Sequence, residues 1–344
     1  MIAVLIRADA SEAIGAGHIV RSMALAEKLK QNGCECIFAT RTPTIKVMPS
    51  LVNSFPVIEI NGALTTETSQ LINACPQGVD WLVVDHYEWD MSLENKCRPW
   101  AEKIMVIDDL ANRKHDVDLL LDQTLSKMKS DYENLVPENC KMFLGPEYAL
   151  LREQFAERRT LSLNKRLSDD YKLDRVLVSI GMTDPQNITG IAMEGIRQSG
   201  LKLSVDVILG KHAGNMDLIM KTADAMDCDI NIYNQILEMA KIMERADLAI
   251  GAAGSTSWER CCLGVPSFLV TIADNQNRIA DALEKNHAAI ILGNQHNIKP
   301  ELFSKKLIEL SSNPDQLKSM AVAASTICDG LGANRVAENV LTIN

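Results

Sequence analysis

The sequence predicts an α/β protein made of two Rossmann-like domains facing a cleft. Three observations predict it. Apolar strand-like runs alternate with amphipathic stretches through the first half, and the same alternation restarts in the second. Between them lies a charged segment with no strong apolar period, and the 344 residues suit two domains of ordinary size.

In chain order, the first half offers strands at 2–6, 36–39, 57–60, 81–85, 104–108 and 119–121. Residues 19–30 read as a helix, with Met23, Ala26 and Leu29 on one face. Near-continuous apolar strands separated by helices indicate a parallel sheet covered on both sides. Residues 158–174 read as a linker between a domain at 1–157 and a second at 175–325. The second domain offers strands at 175–180, 204–209, 229–232, 247–250, 267–270 and 289–292, and 326–344 reads as a closing helical segment. Strand order is not readable from this pattern. In such sheets ligands bind beyond the carboxyl ends of the strands, so the loops there should carry the chemistry.

Five loops stand out. Ile14-Gly15-Ala16-Gly17-His18 follows the first strand and opens the first long helix, where free amides favour an anion. His18 is there either a neutral imidazole able to take a proton or a plain surface histidine, and spacing leaves both open. Asp85-His86-Tyr87 ends the 81–85 strand and is either a functional trio or the cap of a helix beginning near Asp90. Asp108 and Asp109 end the next strand with a weaker claim. Residues 251–255 form a small-residue loop able to hold a diphosphate. Glu259 beyond it would take a ribose, or form a capping box with Thr256. Asn275 and Gln276 suit hydrogen bonds to a sugar or phosphate, with N-capping the alternative. No GxGxxG and no GK[ST] is present, so the dinucleotide fingerprint and the P-loop are absent.

Composition excludes other classes. Lys+Arg 35 against Asp+Glu 45 leaves a net charge of -10, which argues against a nucleic-acid partner. The nine cysteines include no CxxC and the histidines no metal-ligand spacing, so no metal is expected and buried thiols in a reducing cytoplasm are. No apolar run approaches a membrane span.

Taken together, the motifs resemble a known family. Arg7-Ala8-Asp9, Gly15-Ala16-Gly17-His18 with Arg21, Asp85-His86-Tyr87 and the run from Gly145 to Arg152 are similar to those of the UDP-2,4-diacetamido-2,4,6-trideoxy-β-L-altropyranose hydrolases of pseudaminic acid biosynthesis. Gly254 through Glu259, Asp329-Gly330 and Gly332-Ala333 also match. The wider relatives are GT-B glycosyltransferases. Two positions depart from the pattern: Met182 stands where a second glycine is usual, and Ala253 where another is common.

The resemblance implies a GT-B-like fold and hydrolysis of a UDP-sugar to UDP and free sugar, with inversion and no cofactor. His18 would be the base, with Tyr87 and Asp9 positioning water or sugar. Gly17, Gly254 and Ser255 would face the diphosphate, Glu259 the ribose, and Ile236 and Leu237 the uracil. Arg21, Asp85, Asn275 and Gln276 would complete the substrate contacts, Asp85 chiefly as a brace. Transfer of the sugar to an acceptor is the competing enzyme reading, and a non-catalytic UDP-sugar-binding module the reading from another class.

Overall fold

A computed structural model of the chain describes every residue except 12–13, 182–183, 211–214, 235–237 and 343–344. The chain divides into two units. The first comprises residues 1–152 and 331–344, and the second residues 153–330.

In the first unit seven parallel strands line up in the order β3-β2-β1-β4-β5-β6-β7. They are β1 (Ala3–Ala8), β2 (Glu35–Arg41), β3 (Val57–Ile60), β4 (Val79–Asp85), β5 (Ala101–Ile107), β6 (Leu119–Asp122) and β7 (Lys141–Leu144). The order reverses between β1 and β4, which pair in register from Val4 with Trp81 to Ala8 with Asp85. That junction is the switch point of a doubly wound sheet, where neighbouring loops part and leave a crevice. β7 is an element the sequence reading lacked. Its KMFL is too short to separate from a loop by pattern alone.

The apolar runs are buried on both faces, as a helix-covered parallel sheet requires. Val4, Ile6, Phe38, Trp81 and Val83 lie in one core layer with Ile19, Leu25 and Leu29 of the helix Gly17–Gln31. Val336, Ala337 and Val340 of the helix Gly332–Thr342 share that layer, so the segment expected to close the second half belongs to the first unit. Gly332 is required there, because a Cβ would collide with the backbone of Tyr148 and Ala149.

The second unit repeats the plan with six strands, β10-β9-β8-β11-β12-β13. These are β8 (Arg175–Ser179), β9 (Ser204–Ile208), β10 (Ile230–Tyr233), β11 (Leu248–Ala252), β12 (Ser267–Thr271) and β13 (Ala289–Asn294). Its switch point lies between β8 and β11, paired from Leu248 with Val176 to Gly251 with Ser179.

The expected linker at 158–174 is largely the helix Glu153–Leu167, within the second unit. Its basic run read as solvated spacer because its partners lie far along the chain: Arg158 pairs with Glu244 at 2.8 Å and Lys165 with Asp247 at 2.7 Å, while others meet backbone carbonyls. Arg166 is fully buried and donates to Met243 O and Ala246 O at the end of the helix Met239–Arg245. Arg159 donates to the carbonyls of Ser325 and Cys328. Cations satisfying orphan carbonyls at a helix end are structural. Among the described residues no helix is long and apolar enough to cross a membrane.

Candidate active site

At the first switch point Asp85 ends β4 with no solvent exposure. His18 lies in the first turn of the helix Gly17–Gln31, whose cap position Ala16 supplies no side-chain bond and whose first turn holds no acid. The switch brings the two together across 67 positions of chain. His18 Nδ1 is 2.7 Å from Asp85 Oδ1. Arg21, one turn further along the same helix face, donates to Asp85 through Nε at 2.7 Å and Nη2 at 2.5 Å, and Ser22 Oγ lies 3.2 Å from Oδ2.

Burial alone would raise the Asp85 carboxyl, but Arg21 and His18 outweigh it and hold it well below the usual carboxylate range. An ionised carboxylate only accepts, so Nδ1 of a neutral His18 carries the ring proton and Nε2 keeps the lone pair. The Tyr87 ring meets the imidazole edge-on at 4.7 Å between centroids and fixes its plane from the side.

His18 opens on a pocket of about 310 Å³ lined also by Asp9, Ser11, Arg41, His86, Tyr87 and Glu88, with Ala10, Ile14 and Pro43 as an apolar wall. That volume sits at the lower end of small-molecule sites. The turn carrying His86, Tyr87 and Glu88 is pinned from beneath. Arg113 donates to the carbonyls of Trp89 at 2.7 Å and His86 at 3.3 Å while held by Asp108 at 2.6 Å. Asp108 is therefore a brace. The nearby helix Met91–Cys97 is capped by Asp90, which accepts from Ser92 N, so the trio is not needed as its cap.

Two of the three expected catalytic side chains are poor bases in this setting. Asp9 lines the pocket but accepts from Arg7 at 2.7 Å, Thr40 at 2.9 Å and the Arg41 amide at 2.8 Å, with His86 Nε2 at 3.5 Å. Burial pushes its carboxyl upward, yet these donors win and hold it far below the ordinary range. Burial, joined by Asp109, pushes the Tyr87 phenol above its ordinary range, and its hydroxyl reaches Asp109 at 3.3 Å. Tyr87 is a donor.

Arg21 and Asp85, expected among the substrate contacts, bond to each other. Arg21 is buried, grips Asp85 and lies 3.5 Å from Asp109. Asp85 is spent on His18 and Arg21. His86 and Arg41 are pocket residues that the sequence reading did not single out as sites. His86 was visible in the trio, whereas Arg41, at the end of β2, carried no motif.

In the second unit the loop after β11 presents half-buried Gly254 and Ser255, with Glu259 buried behind them. The cap position is Ser255, which makes no side-chain cap bond, and Thr256 is already inside the helix Thr256–Cys262. The capping box with Thr256 at its head is therefore not the arrangement. Gln276 faces this loop, its Nε2 3.9 Å from where a Cβ on Gly254 would stand, and its Oε1 accepts from Ile272 N. Asn275 is exposed in the short 3-10 turn Asp274–Gln276. Ile236 and Leu237, expected against uracil, lie outside the described residues, as does Met182. Among the described residues no cluster of three or more His, Cys, Asp or Glu could hold a metal ion.

Comparisons with known proteins bear on the fold and on relatedness. Residues 196–338 match the family model described as Glycosyltransferase family 28 C-terminal domain. A UDP-2,4-diacetamido-2,4,6-trideoxy-beta-L-altropyranose hydrolase from Campylobacter jejuni is 26% identical over 285 residues, covering 82% of this chain and 96% of that protein. An uncharacterized protein of Methanocaldococcus jannaschii is 25% identical over 265 residues, which is 75% of this chain but only 53% of that protein's length. The crystal structure of Acinetobacter baumannii MurG superposes with a TM-score of 0.69 at 15% identity, covering 100% of both chains. The fold is GT-B.

Proposed function

We propose that the chain hydrolyses UDP-2,4-diacetamido-2,4,6-trideoxy-β-L-altropyranose to UDP and the free sugar, in the cytoplasm, as a step of pseudaminic acid biosynthesis. One observation carries the reading: an imidazole oriented by a buried carboxylate, in the lining of a pocket of about 310 Å³. This is the base-and-orienter pair that activates a weak oxygen nucleophile. Water attacks the anomeric carbon, His18 Nε2 takes its proton, and the bond from that carbon to the β-phosphate oxygen breaks on the opposite face. The configuration inverts, and UDP leaves with the bonding pair, without a metal. Asp85 stabilises the imidazolium as it forms, while Asp9, His86 and Tyr87 orient the sugar. Gly17, Gly254 and Ser255 bind the diphosphate, Glu259 the ribose hydroxyls, and Asn275 and Gln276 complete the contacts.

The similarity to the Campylobacter hydrolase over most of both chains supports the substrate. The family 28 match favours a second reading, transfer of the sugar to an acceptor. Fold does not separate the two, because function lives in the site. Proton NMR of the protein with the UDP-sugar alone decides. Release of the inverted free anomer together with UDP is expected. An intact UDP-sugar that is consumed only when an acceptor alcohol is added would replace hydrolysis by transfer.

A further inference from the structure

His86 lines the same pocket as His18, and its ring is held the other way round. The Glu88 amide donates to His86 Nδ1 at 3.1 Å. A ring nitrogen that accepts from an amide keeps its lone pair, so the proton of a neutral His86 is on Nε2. At His18 the proton is on Nδ1, facing Asp85. The pocket wall therefore holds two imidazoles of opposite tautomer, one offering a lone pair and the other an N–H. The turn under His86 is fixed as well, because Arg113 donates to its carbonyl at 3.3 Å.

That N–H lacks a proper partner among the described residues. It faces Asp9 Oδ2 at 3.5 Å, longer than the roughly 2.7–3.2 Å of an N–H···O bond. Oδ2 already accepts from Arg7 Nη2 at 2.7 Å. The His86 side chain is 12% exposed, so little of the ring meets solvent. A nearly buried donor without a bond costs free energy, and a ligand atom that accepts from it recovers the loss.

The two groups select the chemistry of that atom. Asp9 is ionised and only accepts. An oxygen about 2.8 Å from both Nε2 and Oδ2 closes the gap, provided that it accepts from one and donates to the other. A carbonyl or phosphate oxygen has no proton for Asp9, and an amide nitrogen has no lone pair for His86. A hydroxyl has both. In a 2,4-diacetamido-2,4,6-trideoxyhexopyranose linked through carbon 1, carbons 2 and 4 carry the acetamido groups, carbon 5 the ring oxygen, and carbon 6 is a methyl. The sugar keeps one hydroxyl, on carbon 3.

We propose that His86 Nε2 and Asp9 Oδ2 together bind the C3 hydroxyl of the sugar, which makes His86 a specificity-determining residue of the site. The inference rests on the substrate reading above and assigns one contact within it.

Steady-state turnover of the UDP-sugar and of its 3-deoxy analogue tests the contact. Wild type is expected to lose about 10- to 100-fold in kcat/KM on the analogue, the scale of leaving a buried polar partner unpaired. His86→Phe should lose a similar factor on the full substrate and almost nothing further on the analogue, because both deletions remove one bond. Losses that multiply would make His86 a structural support and overturn the contact. His86→Gln carries an N–H near the position of Nε2 but takes no proton at neutral pH, and it should recover most of the loss. A Gln variant as poor as the Phe variant would make His86 a proton acceptor and overturn the donor role. Wild-type turnover of the analogue at the full rate overturns the pair whether or not the variants fold, and leaves water to bridge His86 and Asp9. If wild type consumes the sugars only with an acceptor alcohol, hydrolysis falls and the same comparison, run on transfer, still judges the pair. Wild type that binds UDP but turns over neither sugar overturns the substrate reading and this contact with it.

Discussion

The two switch points make an instructive pair. Each places an arginine on the fifth residue of the helix that follows a strand at the junction, Arg21 after β1 and Arg260 after β11. Arg21 meets a full carboxylate at 2.5 Å and a second at 3.5 Å. Arg260 meets none among the described residues. At the first junction Asp85 closes on Arg21 and also orients His18. At the second, Arg260 donates to the Ala252 carbonyl and the Ser257 hydroxyl. A similar sheet and a similarly placed cation thus differ in charge balance, and Asp85 and Asp109 make the difference.

The largest effect should come from His18→Asn. A general base contributes about 10²–10⁴-fold to rate, so turnover followed by NMR should fall by that much while UDP affinity by calorimetry stays within about twofold. Normal turnover would empty the first junction of its assigned chemistry. Lost UDP binding would move part of the nucleotide site there.

Asp85→Asn tests the contrast itself, since it leaves Arg21 nearly as uncompensated as Arg260. Breaking a buried pair costs about 3–5 kcal/mol, and Asp109 nearby should keep the loss toward the lower end. The folded carboxyl lies below its unfolded value. Its stabilisation is therefore complete above about pH 4 and lost as pH falls from there toward the folded value. Urea unfolding should show the variant weaker at pH 7, with the gap closing below about pH 4. Equal stability at pH 7 would mean that an unpaired arginine costs this fold little.

A smaller change is expected from Glu259→Ala, about 1–3 kcal/mol of UDP affinity by calorimetry, the range for charge-assisted hydrogen bonds. No change would return Glu259 to a role within the fold. Exhaustive EDTA treatment should leave turnover untouched, because Asp9, Asp85 and Asp108 are already committed to protein donors. Loss restored by a divalent ion would recast these acids as ligands.

The two sheets were legible because twelve of their strands are apolar runs with helical punctuation, and residues 81–85 fall within β4. Strand order was not, since nothing in a run of valines names its neighbour. The His18 and Asp85 loops were each visible, but their bond spans a crossover that only strand order fixes. The basic run from Arg158 was misread because its partners, carboxylates and backbone carbonyls alike, lie some eighty residues or more along the chain. Arg260 went unremarked between Glu259 and Cys261, although a charged residue one turn into an otherwise buried helix was a readable anomaly.

The helix Gly332–Thr342 gives the chain a particular order of assembly. The ribosome releases it only after residues 153–330, yet it completes the core layer begun by Val4 and Ile6. The second unit can mature while the first still exposes the apolar face that Val336 and Val340 will cover. The first unit is thus completed only after the second has been made. A chain cut short after Gly330 would fail at His18, more than three hundred residues away, before it failed at Arg260.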